Sequence, residues 1–304
     1  MPWTRCGIVM KPPNTGGWAV SHAAVPFLRT AASGDIELFF SSRDNQKRTS
    51  IGRAAVKFSS AENAASGEVA AVLGPGVLGA FDDSGATGSC LVAHEGREYL
   101  YYSGWALGRT VPFVLAIGLA TSDDGGRTFE RVSAGPIIGR TRAEPFLAGA
   151  PWVLIEDGRW RMWYTSGARW ESAEEGPRHY YRIAYAESSD GIDWHPTGRI
   201  CIDFKDEEEY ALARPCVLRD AAGYRMWFSC RGSDYRIGYA ESEDGLVWAR
   251  RDGYGGLGPT GDGWESRAVA YGFVFDREGT RWMLYNGNGY GATGIGLARW
   301  EGGG

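Results

Sequence analysis

Cysteine is scarce in this 304-residue sequence, and no pair of cysteines has C-x-x-C spacing. The five cysteines are Cys6, Cys90, Cys201, Cys216 and Cys230. An odd number of widely spaced cysteines argues against a disulfide framework, and the lack of paired Cys/His ligands argues against zinc. We therefore predict free buried thiols in a reducing cytoplasm, and no cofactor.

Basic blocks and long apolar runs are also missing. The chain has 32 Lys and Arg against 37 Asp and Glu, a net charge of −5, and no basic stripe of the kind that binds nucleic acid. The first residues, MPWTRCGIVMKPP, lack the basic and then apolar segments of a signal peptide, and no run reaches membrane-spanning length. We expect a cytoplasmic protein with no nucleic-acid or membrane partner; the oligomeric state stays open.

Aromatic residues and glycine are abundant instead. The sequence has 13 Trp, 15 Tyr and 45 Gly, and 43% of its residues are hydrophobic. This composition favours short strands joined by tight turns around a sizeable core.

A short motif, I-G/A-x-A, recurs along the chain at intervals of roughly 60 residues, a period typical of radial arrays of small sheets. It begins at Ile51, Ile117, Ile183, Ile237 and Ile295. An aromatic, nearly continuous apolar run precedes each copy, as expected for a central strand buried on both faces. These runs are IELFFSSR, YLYYSGW, WRMWYTSG, YRMWFSCR and RWMLYNGN, starting at Ile36, Tyr99, Trp160, Tyr224 and Arg281.

A further apolar run precedes each of these, starting at Ala24, Ser89, Ala150, Arg214 and Ala268. A short strand follows each I-G/A-x-A motif. Each repeat unit is therefore predicted to contain four antiparallel strands, named A to D in chain order. Five units predict an all-β fold, a single five-bladed β-propeller of four-stranded antiparallel blades over residues 1–304. The last unit stops after its C strand, at Trp300. Residues 5–10 would supply the missing outer strand, with a disordered start as the alternative.

Three acidic turns follow the C strands: SDDGGRTF, SSDGIDW and SEDGLVW, with Asp124, Asp190 and Asp244 at equivalent positions. They resemble the Asp-box turn of sialidases and related propellers. Asp accepts hydrogen bonds from backbone N–H groups and Gly adopts positive φ, so turn chemistry accounts for these residues. We predict a structural role for them, on the face opposite the functional site.

The opposite face carries the candidate site. Residues before the A strands there are His22, Asp82, Asp83, Glu144, Glu209 and Glu265, and residues near the B-strand ends are Arg43, Trp105, Arg231, Asn286 and Asn288. Carboxylates among aromatic, Arg and Asn side chains suit carbohydrate, whose hydroxyls need acceptors and whose C–H faces need flat surfaces. Clustered carboxylates and amides can also bind calcium, so a structural calcium ion at this face is an open alternative. The B–C insertion 168–181 lies on this face, either as a lid or as a plain excursion.

The segments FDDSG (residues 81–85), EEYALARP (208–215) and NGNGYGATGIGLA (286–298) carry a family resemblance. The chain resembles the five-bladed propeller glycosidases, glycoside hydrolase families 32, 43, 62 and 68, and more closely an uncharacterised bacterial branch of them. The resemblance implies a catalytic Asp on the first blade, an Asp on the second and a Glu acid on the third. The second blade offers Asp82 or Asp83 and the third Glu144, but the first holds His22.

We therefore expect a glycoside hydrolase-like enzyme that acts on a small sugar in a carboxylate-lined pocket. The catalytic candidates are Asp83, Glu209, His22, Glu144 and Asp82. The substrate-binding candidates are Arg43, Trp105, Arg214, Arg231, Glu265, Asn286 and Asn288. His22 as base, or an Asp83–Glu209 pair, would replace the missing first-blade Asp. The alternatives are an inverting phosphorylase or transferase with phosphate on Arg43 and Arg231, or a glycan-binding propeller without turnover.

Overall fold

The computed structural model describes residues 2–31, 33–58 and 64–302, and almost all of their regular structure is β-strand. Among these residues the strands form five antiparallel groups, numbered here in chain order. No helix in the described ranges is long and apolar enough to cross a membrane.

Groups 1 and 2 share one sheet. Group 1 contains β2 (Ser21–Thr30), β3 (Ile36–Arg43), β4 (Thr49–Lys57) and β5 (Ala64–Leu73). Group 2 contains β6 (Gly85–His94), β7 (Arg97–Leu107), β8 (Phe113–Ser122) and β9 (Glu130–Arg131). Neighbouring strands within each group are antiparallel, and one parallel pair, Thr49 with Gly85, joins the two groups.

Groups 3 and 4 repeat this arrangement in a second sheet. Group 3 contains β10 (Ala148–Glu156), β11 (Arg159–Glu171), β12 (Arg178–Ser188) and β13 (His195–Ile202). Group 4 contains β14 (Ala211–Asp220), β15 (Gly223–Arg231), β16 (Tyr235–Ser242) and β17 (Ala249–Arg250). The parallel pair Tyr181 with Ala211 joins them.

Group 5 combines the two ends of the chain. It contains β18 (Ala270–Arg277), β19 (Thr280–Asn286) and β20 (Ile295–Trp300), with β1 (Trp3–Met10) antiparallel to β20 on the outside. Trp3 packs edge-on against Trp300, with ring centroids 4.8 Å apart, and its indole N–H donates to the carbonyl of Gly255 at 2.9 Å. The outer position predicted for residues 5–10 is thus occupied by residues 3–10. Short helical turns lie at α1 (Asp252–Gly255), Gly263–Glu265 (3₁₀) and α2 (Asn288–Gly291).

The second strand of each group is buried on both faces, as the aromatic runs predicted. The equivalent residues Phe39, Tyr101, Trp163, Trp227 and Leu284 are fully buried. Large side chains fill both faces of these strands and contribute to the main hydrophobic core, and a smaller separate cluster contains Leu147, Tyr181 and Tyr235.

A side-chain hydrogen bond from each second strand to the next inner strand recurs around the molecule. Hydroxyl oxygens accept the backbone N–H in four cases, which are Ser41 from Gly88, Ser103 from Ala150, Thr165 from Arg214 and Ser229 from Tyr271. In the fifth case the Asn286 Oδ1 atom accepts the N–H of Val25 at 2.8 Å. This last bond connects group 5 to group 1.

The three acidic turns form local hydrogen-bond networks. In the second turn the Asp190 Oδ1 atom accepts from the N–H groups of Ile192 and Asp193, at 2.8 and 2.9 Å, and from the Ser188 hydroxyl. Gly191 has a φ of 76°, a value that favours glycine. Burial alone raises the pKa of Asp190, but these donors outweigh it and hold the pKa below its usual value.

Replacing Asp190 with alanine is expected to destabilise the fold by about 1 kcal/mol, the usual cost of losing such a capping group. Because the donors lower the folded-state pKa, the stabilisation by Asp190 is present above the unfolded-state pKa and lost as pH falls. Urea unfolding at pH 7 and pH 3 should show a smaller difference from wild type at pH 3. The control is Asp193→Ala, whose exposed carboxylate accepts no hydrogen bond from the described residues; an equal loss in this control would contradict the prediction.

Candidate functional site

An open cavity of about 440 Å³ lies where the five inner strands meet. Every inner strand contributes to its wall, which includes Val25 of β2, Ser89 of β6, Ala150 of β10, Arg214 of β14 and Tyr271 of β18. The volume is in the range of pockets that hold small ligands. Asp124, Asp190 and Asp244 do not line the cavity.

Backbone bulges present these residues at the cavity. Each inner strand has a register shift at this position, and four of the five residues have positive φ, from 45° at Ala150 to 59° at Tyr271. A bulge leaves one residue outside the ladder and re-aims its side chain. Such a φ costs a non-glycine residue about 1–3 kcal/mol, so the surrounding sheet must hold it.

Aromatic side chains form much of the wall, including Trp105, Phe113, Tyr181, Tyr235 and Tyr290. The hydroxyl oxygens of Tyr181 and Tyr235 are 2.7 Å apart and share a hydrogen bond. Burial raises the pKa of both phenols, so both stay protonated at neutral pH. They can therefore exchange hydrogen bonds with a ligand but are poor nucleophiles.

His179 extends the aromatic wall from β12. Its ring stacks on Tyr181, with centroids 4.7 Å apart and planes 5° apart, and also contacts Phe113 and Trp170. Burial, with the nearby charges of Arg231 and Arg178, lowers the pKa of His179 to about 4, so the ring is neutral at pH 7. Its Nε2 atom is buried without a hydrogen-bond partner among the described residues. His179 was not among the predicted site residues, although it lies in the predicted insertion 168–181.

The charged groups of the lining are basic. Arg43 and Arg214 belong to it, together with the hydroxyls of Thr49, Thr87 and Ser89. No Asp or Glu among the described residues lines the cavity. The described carboxylates therefore do not form the predicted ring around this cavity.

The predicted acids have buried partners elsewhere. Three of them pair with arginines of outer strands: Asp82 with Arg131 at 2.8 Å, Glu209 with Arg250 at 2.6 Å and Glu265 with Arg5 at 3.1 Å. Glu144 instead accepts from the hydroxyls of Tyr164 and Ser166. Buried carboxylates need such partners, so these four link strands within a group.

Asp83 has a different position. Its carboxylate accepts the N–H of Gly79 at 3.0 Å and the Ser84 hydroxyl at 3.0 Å, within the loop before β6. It closes a turn, and it lies outside the cavity lining.

A sequence signal for the arginine partners exists. An aromatic residue followed two positions later by arginine starts the outer strand in three groups, as FER (129–131), WAR (248–250) and WTR (3–5). In group 3 the equivalent residues 194–196 are WHP, and Glu144 has hydroxyl partners instead. The N-terminal WTR thus marks β1 as an outer strand.

His22 and Arg43 lie together in a recess of about 140 Å³ whose wall shares Val25, Thr49 and Tyr271 with the cavity. The His22 Nδ1 atom lies 3.0 Å from the Ser21 hydroxyl oxygen. Burial, and then the charge of Arg43, lower the pKa of His22 to about 4. A neutral His22 at pH 7 could accept a proton or a hydrogen bond, and this is compatible with its predicted role.

Two other substrate-binding candidates lie in different places. Trp105 lines the cavity, and its indole N–H donates to the Thr49 hydroxyl at 3.3 Å. Arg231 lies over the rings of Tyr210 and Tyr235 and donates to the Tyr290 hydroxyl, in an adjoining recess.

The side chains of two predicted substrate-binding residues form hydrogen bonds with the backbone. Asn288 accepts the N–H groups of Arg267 and Ala268. Asn286 is fully buried, and its amide is used by Val25 and two backbone carbonyls. Asn286 is thus too buried to contact a substrate as predicted, whereas Asn288 lines the same recess as Arg231 and its substrate-binding role stays a prediction. The described residues contain no group of three His, Cys, Asp or Glu able to hold a metal ion.

No protein-family model matches the chain. Two relatives match it over nearly its full length: the uncharacterised proteins MT1551 and Rv1502 of Mycobacterium tuberculosis, from strains CDC 1551 / Oshkosh and ATCC 25618 / H37Rv. Each is 40% identical over 299 residues, covering 98% of this chain and 99% of the relative.

Solved structures with a similar fold include glycoside hydrolases. One glycoside hydrolase has a TM-score of 0.74 at 14% identity, with 99% of this chain and 92% of that chain covered. A thermostable family-43 glycoside hydrolase has a TM-score of 0.68 at 16% identity, with 95% and 91% covered. A Bombyx mori GH32 β-fructofuranosidase in complex with sucrose has a TM-score of 0.66 at 13% identity, with 97% and 61% covered. The chain therefore belongs to the family of MT1551 and Rv1502 and has the all-β, propeller-like fold of the glycoside hydrolases.

Proposed function

We propose that this protein is a single-domain, five-bladed propeller that binds a small sugar in its central cavity without hydrolysis by paired carboxylates. The observation that carries the proposal is the lining: aromatic rings, hydroxyls and two arginines, with no Asp or Glu among the described residues. Glycosidases of the usual type need two carboxyl groups flanking one glycosidic bond.

The ring of hydrogen bonds supports the five-bladed interpretation. Five equivalent bonds connect successive groups, and the bond from Asn286 to Val25 brings the last group back to the first. The pairing of β1 with β20 gives group 5 its outer strand. A closed ring of this kind would place the bulged residues of all five inner strands around one axis.

The aromatic wall supports a sugar as ligand. Trp105, Tyr181 and Tyr235 present flat surfaces and hydroxyls within one cavity, and sugars combine apolar C–H faces with hydroxyl groups. The fold adds to this argument, because the Bombyx mori structure with a similar fold is in complex with sucrose.

Isothermal titration of the full-length protein with a panel of monosaccharides and glycosides tests the proposal. At least one sugar should bind, and Trp105→Ala should weaken it about 10-fold or more, as expected for a central aromatic contact. Leu107→Ala, on the same strand but 74% exposed and outside the lining, should bind normally. Hydrolysis of nitrophenyl glycosides that Glu209→Gln or Asp83→Asn abolishes in a still-folded protein would overturn it.

Phosphorolysis is a second candidate, favoured by the two arginines of the lining. An oxygen of a hydrogen phosphate ion would bond to the anomeric carbon while the glycosidic C–O bond breaks, and the proton of the phosphate would pass to the leaving oxygen. Release of sugar 1-phosphate from glycosides, only when inorganic phosphate is present, would identify this reaction. Binding without such release would leave the first proposal in place.

A further inference from the structure

Arg214 lies deep in the molecule and contacts several groups. Only 1% of it is exposed, and it sits at the bulge of β14 with a φ of 56°. Its Nη2 atom donates to the carbonyl of Pro26 in group 1 at 3.1 Å, and its guanidinium lies 5.9 Å from the ring centre of Trp152 in group 3. It also belongs to the lining of the cavity, so it forms part of the cavity floor.

The charge of Arg214 has no protein counterion. No carboxylate of the described residues lies within 4 Å of it, and its Nε and Nη1 atoms are buried without hydrogen-bond partners there. The neighbouring ionisable groups are the buried thiols of Cys90 and Cys216, and burial lowers the pKa of Arg214. A buried, unpaired charge is among the costliest features a fold can contain.

Other buried arginines differ in this respect. Arg161 binds Glu156 at 2.9 Å and Arg250 binds Glu209 at 2.6 Å. Arg43, the other cation of the lining, likewise has no carboxylate within 4 Å among the described residues. The cavity lining thus carries two arginines without carboxylate partners among the described residues, whereas Arg161 and Arg250 are neutralised by theirs.

We propose that the sugar bound in the cavity is acidic, and that its carboxylate or phosphate group is held by Arg214 with Arg43 as a second cation. The sugar part of this inference rests on the proposed function. Because Arg214 is buried and lacks a counterion, water screens its charge only weakly, and this favours an anion in the adjoining cavity. An anion there would supply the counterion that the protein lacks, and the hydroxyls of Ser89 and Thr165 belong to the same lining and can donate further hydrogen bonds.

The test compares matched sugars on the full-length protein. In the gluco, galacto and manno series, the neutral hexose, its uronate and its 6-phosphate are titrated, and inorganic phosphate is titrated alone. At least one acidic sugar should bind about 30-fold or more tightly than its neutral counterpart, the low end of the effect of a buried charge contact. Preference for the uronate or for the 6-phosphate identifies the anionic group.

Arg214→Met should remove that preference, so that the acidic sugar binds no more tightly than its neutral counterpart. Its melting temperature without ligand should equal or exceed that of wild type, because an unpaired charge is removed. Arg161→Met, the control, should melt lower and keep the preference, since Arg161 is paired and lies outside the lining. Arg43→Met gives a second test that does not alter the buried floor, and it should weaken the preference.

The possible results distinguish the acidic-sugar inference from the proposed sugar binding. Equal binding of neutral and acidic sugars, or an acid preference that survives in Arg214→Met and Arg43→Met, overturns the inference and leaves the proposed sugar binding intact. Stabilisation by phosphate alone, lost in Arg214→Met, with no sugar bound, retains the anion site and overturns the proposed function. If neither sugars nor phosphate bind, both are overturned.

Discussion

Replacing Arg250 with methionine is expected to lower the free energy of unfolding by about 3–5 kcal/mol, the cost of leaving a buried charge without its partner. Arg250 donates to both oxygens of Glu209, at 2.6 and 3.0 Å, and to Asp252 at 2.6 Å. Glu209 is only 4% exposed, so water cannot replace the lost guanidinium. For a chain of this length, the loss corresponds to a fall in melting temperature of roughly 5–8 °C.

The adjacent arginine provides a matched control. Arg251 also forms an ion pair, with Glu241 at 2.9 Å, but 59% of its side chain is exposed. Arg251→Met should cost at most about 1 kcal/mol, because water screens an exposed pair. Urea unfolding of the two variants under the same conditions gives the comparison, and similar losses would show that burial of the Glu209–Arg250 pair contributes little.

A second substitution tests whether Glu209 stabilises the fold through its ion pair with Arg250. Glu209→Gln keeps the shape and leaves Arg250 paired with Asp252, so it should cost less than Arg250→Met. Arg250→Met should lower the free energy of unfolding less when it is introduced into the Glu209→Gln variant than into wild type. The reason is that no buried Glu209 charge is then left without a partner. Strict additivity of the two changes would contradict the pairing.

The strands could be predicted because their sequence signals are local. Runs such as YRMWFSCR and the I-G/A-x-A motif combine β-forming aromatic residues with regular spacing, and β15 and β16 follow them closely. The site depended instead on partners distant in sequence. Glu209 and Arg250 are 41 residues apart, and Glu265 pairs with Arg5 from the other end of the chain.

A position just before an inner strand was therefore a poor guide to which acids line the cavity. A carboxylate before an inner strand can face the cavity or turn towards the outer strand, and the arginine of that outer strand decides which. The cavity-facing residues were set by bulges, which no local pattern revealed. Arg214 was predicted to bind substrate, but the fold was needed to show that it is buried and has no counterion.

The second large effect is expected at the junction between the last group and the first. Asn286 is fully buried, and its amide makes three hydrogen bonds: Oδ1 accepts from the N–H of Val25, and Nδ2 donates to the carbonyls of Ala23 and Gly294 at 2.7 and 2.8 Å. Two of these bonds cross from β19 to β2, residues more than 250 positions apart in the chain. The side chain of Asn286 thus connects group 5, the last along the chain, to group 1.

Asn286→Leu keeps a similar volume but leaves one N–H and two carbonyl groups buried without partners. Each unsatisfied group costs about 1–3 kcal/mol, so a total loss of roughly 3–5 kcal/mol is expected after partial relaxation. Ser229→Ala is the matched control, because Ser229 occupies the equivalent position in group 4 and accepts one hydrogen bond, from Tyr271. It should cost about 1 kcal/mol.

Hydrogen exchange distinguishes the ring junction from an ordinary core defect. If the Asn286 bonds hold group 5 against group 1, Asn286→Leu should accelerate exchange of the β2 and β20 amides more than those of β10 or β14. The Ser229→Ala variant should instead affect β15 and β18. Uniform acceleration over all groups in Asn286→Leu, or a loss of stability no larger than in Ser229→Ala, would mean that the junction is held by packing and not by this amide.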